Sequence, residues 1–256
     1  MDYILSESTT PVEKKSFGIN LFTLKIIAFL IMLCDLICAF IIETHIIDLT
    51  TLTANGSTGG AEPIYLADLI LRLVGSVAFP LFCFFIVQGF LNTSNIKMYI
   101  IRLAACAVVT EFIWDLASGY PLLDMSSQNP LFTLLIGLVV IFFVDKYKGQ
   151  LMQQSLFVAI GAILCNFINA QFGTLGYGVF LIVLMYGTRN KKLYFNLFGP
   201  LLTLIGGTFE GYLLGLIAFV FIALYNGKRG PKLTYVFYLS YPVTLLALHF
   251  IGMYLF

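Results

Sequence analysis

The sequence predicts an all-α, polytopic membrane protein, a bundle of about nine transmembrane helices, on three observations. First, 60% of its 256 residues are hydrophobic and 11% are charged, whereas soluble domains carry about 25% charged residues. Mean hydropathy is correspondingly high, +0.96. Second, the apolar residues fall in long runs, several of them near the roughly 20 residues that cross a bilayer core. Third, Lys and Arg keep to alternate connections between those runs, the asymmetry that sets orientation in membrane proteins.

In chain order, residues 1–19 (MDYILSESTTPVEKKSFGI) are polar and read as a cytoplasmic tail. They do not read as a signal peptide, because the apolar run comes late and no small-residue cleavage site follows it. Residues 20–256 read as one transmembrane domain with no internal repeat. Its spans are expected at Leu21–Ile42, Leu69–Leu91, Met98–Ala117, Leu131–Val144, Leu151–Ala170, Phe172–Gly187, Leu193–Gly207, Gly211–Tyr225 and Tyr235–Phe256. With the N-terminus inside and the C-terminus outside, the connections around 43–65, 118–130, 170–174 and 208–211 face out, and they carry no Lys or Arg. Arg72 is then the exception among the 14 basic residues, and it lies within a span.

The second span is the most instructive. Arg72 follows Asp68 by four residues, which puts both on one helix face. Gly75, Ser76 and Ala78 form a small-residue patch that admits a close neighbour. Pro80 removes an internal hydrogen bond and should kink the helix. Gln88 adds an amide near the far end.

Composition also excludes classes. A net charge of +1 gives no basic field for nucleic acid. The five cysteines lie in apolar runs, as small buried hydrophobes rather than a disulfide framework. No metal-ligand spacing, phosphate loop or Ser/His/Asp signature occurs, and neither His45 nor His249 has a partner at ligand or triad spacing. What remains is a set of ionisable groups inside spans: Asp35, Asp68, Arg72, Glu111 and Asp115. Such groups are costly in a bilayer and mark function, or else clamp helices together. Glu111 and Asp115 share a face at i, i+4, and all five are expected in the outer half of the membrane.

Several segments resemble the TraX family, membrane proteins named for N-acetylation of the amino terminus of F-type pilin. LKIIAFLIMLCDLICAF is similar to the family's opening, and RLVGSVAFPLFCFFIVQGFLNTSNIKMYIIRL to its arginine, AFPLF and GF signature. TEFIWDLA, NPLFTLLIGL, GYGVFLIVLMYG, LYNGKRG and FYLSYPVTLL follow in the family's order. The resemblance implies an acetyl-CoA- or acyl-CoA-dependent acyltransferase of the cell membrane, similar to the lysosomal heparan glucosaminide N-acetyltransferase. The cytoplasmic cations Lys97, Arg102, Lys146, Lys148, Lys228, Arg229 and Lys232 would then meet the phosphates of CoA. A peptide, glycan or small-molecule acceptor fits equally, and so does a membrane-protein partner or a second copy of the chain.

Four positions depart from the family pattern. Leu36 stands where the family has histidine, Ser76 where it has arginine, Gln88 where it has glutamate, and Thr244 where it has histidine. Acyl transfer to an amine needs a base for its proton and donors for the oxyanion. With the histidine gone, Asp35 or Glu111 is the expected base, with Asp68, Arg72, Ser76, Gln88, Asp115 and Asn129 as the polar pocket. Two further readings stand beside this one. One is a catalytically silent relative that keeps the pocket for ligand binding or partner docking, and the other is transport through the Asp35/Arg72/Glu111 cluster.

Overall fold

The computed structural model describes residues 18–46, 62–189, 217–231 and 234–255. The described residues are helical with no strands; two isolated bridges, Ile19 with Tyr225 and Gln128 with Ala170, join loops. The helices are α1 (Leu21–Ile37), α2 (Glu62–Gly75), α3 (Ala78–Asn92), α4 (Ile96–Ser118), α5 (Pro130–Lys146), α6 (Leu151–Phe167), α7 (Tyr177–Thr188), α8 (217–223) and α9 (Thr234–Leu255). α1 continues as a π-helix over Cys38–Ile46. The spans expected at Leu193–Gly207 and over the first part of Gly211–Tyr225 lie outside the described residues, as do residues 1–17, the side chain of His45 and Lys232.

Local signals start and stop these helices. Asn20 caps α1 by accepting from Thr23 N at 2.8 Å, and Asn95 caps α4 by accepting from Met98 N at 3.1 Å. Asn129 caps α5, with Pro130 at the first turn, where its missing N–H costs nothing. Gly119 ends α4 in the left-handed region at φ 72°. The break in the second span falls at Ser76–Val77, one turn before Pro80. That is where the proline ring would meet the i−4 carbonyl, so the kink separates α2 from α3, and Pro80 itself sits in the first turn of α3.

Among the described residues, three helical stretches are long and apolar enough to cross a membrane: Leu21–Glu43, Leu66–Asn92 and Val236–Tyr254. The distribution of side chains agrees with an apolar solvent. α4 turns Ile101, Val108, Val109, Phe112 and Leu116 outward, while Thr110, Glu111 and Asp115 are buried. A water-soluble helix would do the reverse.

The bundle runs up and down between two chemically different ends. At one end, Ile19 N donates to the Leu224 carbonyl at 2.8 Å, Arg229 bonds Asn92, and the Phe90 and Tyr186 rings meet at 5.5 Å. At the other, Gln128 N donates to the Asn169 carbonyl at 3.0 Å, and Trp114 Nε1 donates to the Ser127 carbonyl at 3.2 Å. The described Lys and Arg residues other than Arg72 belong to helices and loops at the first end. The core between the ends is built from Leu81, Leu138, Ile141, Leu181 and Ile182.

Thr133 shows how the second end is closed. It is fully buried in the first turn of α5, and its hydroxyl donates to the Gln171 carbonyl at 2.6 Å. Thr133→Val keeps the shape and orphans that carbonyl, at a cost of about 1–3 kcal/mol. We expect a lower unfolding temperature in detergent for Thr133→Val and near-native behaviour for Thr133→Ser. Equal stability of the two variants would show that the bond contributes nothing.

Candidate functional site

The site begins with one cation. Arg72, near the end of α2, reaches α1 and its π-helical extension. Its Nη1 donates to Asp35 Oδ1 at 3.1 Å, and its Nε and Nη2 donate to Glu43 Oε1 and Oε2 at 2.6 and 2.7 Å. The fork-to-fork pairing with Glu43 is the strong bidentate kind. The guanidinium's ion pairs are thus with Asp35 and Glu43, rather than with Asp68 four residues earlier on its own helix.

Two local features make this geometry. Gly75 faces Asp35 so closely that a Cβ there would lie 2.7 Å from Asp35 Oδ1. The glycine lets α1 and α2 approach. The π-helix brings in Glu43. Eight residues of regular α-helix would leave Glu43 about 80° off the Asp35 face, and the wider i→i+5 winding over Cys38–Ile46 turns it back. Glu43 is the site residue that the sequence does not announce, because it stands just past the expected span. The available signal was an acid two turns beyond Asp35.

Asp35, Glu43 and Arg72 open onto a cavity of about 1160 Å³. Ser76, Trp114 and Tyr241 also line it near this carboxylate end; Lys25, Gln88, Asn92, Tyr99, Arg102 and Arg229 line it toward the basic end. Ser76 Oγ donates back to the Leu73 carbonyl at 2.7 Å. Gln88 is half-buried. Leu36 is buried in an apolar cluster with Met32, Ala78, Trp114 and Tyr241.

Glu111, Asp115 and Asn129 form a second polar group that does not line the cavity. Glu111 is 4% exposed and Asp115 and Asn129 are fully buried. Glu111 Oε2 accepts from Asn129 N at 3.0 Å and from the Asn129 side-chain amide, which also donates to the Ala107 carbonyl at 3.0 Å. Asp115 Oδ2 accepts from Leu123 N at 2.7 Å, fixing the loop after α4. Among the described residues, Glu111 Oε1, Asp115 Oδ1 and Asp68 Oδ1 have no hydrogen-bond partner. Asp68 lies outside the cavity lining; its carbonyl accepts weakly from Cys38 Sγ at 3.8 Å. The residues expected to share one polar pocket are therefore divided: tertiary packing joins Asp35 with Arg72 at the cavity, Glu111, Asp115 and Asn129 form a separate buried group, and Asp68 stands apart from both. Tyr241, on α9, packs beside Leu36 and Trp114. All five cysteines are free, and no metal-binding cluster occurs among the described residues.

A family profile described as TraX protein matches residues 20–252. The chain is also 25% identical over 198 residues to a protein of Dichelobacter nodosus named "Probable fimbrial assembly protein FimC, serogroup H1", covering 68% of this chain and 79% of that protein. No solved structure matches the chain.

Removing Arg72 should expose the strain it relieves. Breaking a fully buried pair costs about 3–5 kcal/mol. Here the side chains are 30–37% exposed, so about 1–3 kcal/mol is expected after solvent screening. Arg72→Gln should therefore unfold at lower temperature, and adding Glu43→Gln should recover at least half of the loss. Unchanged stability of Arg72→Gln, or no recovery in the double variant, would remove the ion pairs from the account.

Proposed function

Because this chain belongs to the TraX family, we propose that it is an integral cell-membrane acyltransferase, moving an acetyl or short acyl group from acyl-CoA to an amine or hydroxyl acceptor. In this reading it has about nine spans, with the N-terminus in the cytoplasm and the C-terminus outside. The observation that carries the proposal is the two-ended cavity. One end is lined by Lys25, Arg102 and Arg229, the other by Asp35, Glu43 and Arg72. A polyanionic acyl carrier suits the first, and proton transfer suits the second.

The chemistry is a displacement at the thioester carbon. The acceptor nitrogen or oxygen forms a bond to that carbon, the carbon–sulfur bond breaks, the acceptor proton passes to a base, and the CoA sulfur leaves as thiolate and is reprotonated. Of the two carboxylates expected as base, Asp35 lines the cavity and Glu111 does not, which favours Asp35. Arg72 beside it would hold the carboxylate in place. The fimbrial assembly relative supports an amine of a fimbrial subunit peptide as acceptor, presented at the outer face.

One observation favours the second reading, a catalytically silent relative that binds ligands or partners. Arg72 spends its Nε, Nη1 and Nη2 on Glu43 and Asp35, so neither the cation nor the carboxylate it grips is idle. Leu36, Ser76, Gln88 and Thr244 add four neutral side chains at positions where the family carries ionisable ones.

Labelled acetyl-CoA turnover with a panel of amine acceptors separates the two. For an active enzyme we expect Asp35→Asn to lower the rate about 10²–10⁴-fold and Glu111→Gln to change it much less. Turnover that survives Asp35→Asn would overturn Asp35 as base. Turnover found only after Leu36→His/Ser76→Arg/Gln88→Glu/Thr244→His would identify a silent relative. Orientation is checked separately by cysteine labelling at Met125 and Lys228. Met125→Cys should react from outside and Lys228→Cys only after permeabilisation; the reverse pattern would invert the topology.

A further inference from the structure

Lys25 is a cation within the first candidate span, and no described residue offers it a carboxylate. Among the described residues the acids lining the cavity are Asp35 and Glu43, and both close on Arg72. The Lys25 ammonium instead lies over the rings of Phe237 on α9 at 5.0 Å and Phe85 on α3 at 5.9 Å. Both rings line the cavity. Three helices therefore aim one charge inward, where a lysine near the end of a span ordinarily extends to water. The rings offset part of the cost of holding that charge, but no described residue accepts a hydrogen bond from its three N–H donors. Arg229 lines the same end and is tied to the neutral Asn92.

We propose that Lys25 is the anchor for a phosphate ester entering the cavity from its basic end. In the acyl-transfer reading, on which the ligand's identity rests, that ester is the diphosphate of acyl-CoA. Lengths agree. Lys25 and Asp35 stand ten residues apart on α1, about 15 Å along the helix axis. The pantetheine arm between a CoA diphosphate and its thioester is roughly four residues' worth of extended backbone, about 14 Å. A diphosphate on Lys25 thus places a thioester at the Asp35–Arg72 pair. A phospholipid headgroup offers the same anionic chemistry from another source, and the two sources differ in the probes that compete.

The test measures ligand binding by the full chain in detergent and in nanodiscs, using acetyl-CoA, acetyl-pantetheine, which lacks the diphosphate, and inorganic pyrophosphate. Lys25→Met keeps the stem and removes the charge; Lys25→Arg restores a cation. The unliganded Lys25→Met protein is expected to be at least as heat-stable as the parent, since an unneutralised charge has left a span. We expect Lys25→Met to weaken acetyl-CoA at least tenfold, to abolish competition by pyrophosphate, and to leave acetyl-pantetheine within twofold. Lys25→Arg should recover most of the acetyl-CoA affinity. An unchanged acetyl-CoA affinity in Lys25→Met would overturn the anchor, as would an equal loss for acetyl-pantetheine, which would mark Lys25 as part of the cavity wall. Lys25-dependent binding of pyrophosphate, displaced by phosphatidylglycerol but not by phosphatidylcholine nanodiscs and with no acetyl-CoA binding, would keep the anchor. That result assigns the anchor to lipid and overturns the acyl-CoA reading alone. Binding of none of the probes would overturn the anchor itself.

Discussion

A charge in an apolar environment has to be neutralised by neighbours, and Arg72 imposes that constraint on this bundle. Its guanidinium carries five N–H donors on three nitrogens into a region of otherwise apolar helix, and two acids on the preceding helix accept one bond from each nitrogen. Satisfying it requires α1 and α2 to touch at Gly75, where any side chain would strike Asp35. It also requires the π-helical winding that carries Glu43 round to the same face. The close approach, the unusual helix and the wall of the cavity follow from one ion cluster. Its net stabilisation is modest, because desolvation offsets much of the attraction, but it orients the groups that face the cavity.

The remaining polar residues follow the same logic at a distance. Glu111 Oε2 accepts from Asn129, Asn129 caps α5, and Asp115 Oδ2 fixes the loop beyond α4. These buried bonds replace water at the end of the bundle where Lys and Arg, Arg72 apart, are missing among the described residues. At the opposite end the cations gather, and one of them, Lys25, turns inward between two phenylalanine rings. The cavity therefore joins two electrostatically distinct ends. That polarity suits a reaction in which a polyanion enters from one side and a proton is handled at the other.

Much of this was legible in the residues. Composition identified the helical membrane character. Pro80 located the break between α2 and α3 to within one turn. The pairing of Arg72 was only partly legible. Helical spacing offered Asp68, four residues away, whereas tertiary packing delivered Asp35 and Glu43 from another helix. Glu43 was hidden because its position depends on a local change in helical winding, which periodicity at 3.6 residues per turn does not register. The i, i+4 spacing joined Glu111 with Asp115, but the expectation that they share the pocket of Asp35 and Arg72 fails, because their helix face meets Leu123 and Asn129 instead of the cavity. Lys25 read as one more topological charge, since nothing in the spacing of α1 foretells the rings that α3 and α9 bring beside it.

The central claim is that one ligand bridges the two ends of the cavity. A structure of the chain with a non-transferable acyl-CoA thioether tests it most directly. The account predicts the diphosphate within hydrogen-bond distance of Lys25 and the acyl carbon beside Asp35 and Arg72. An analogue bound on the outer surface, or seated with its acyl group against Glu111 and Asn129, would contradict it.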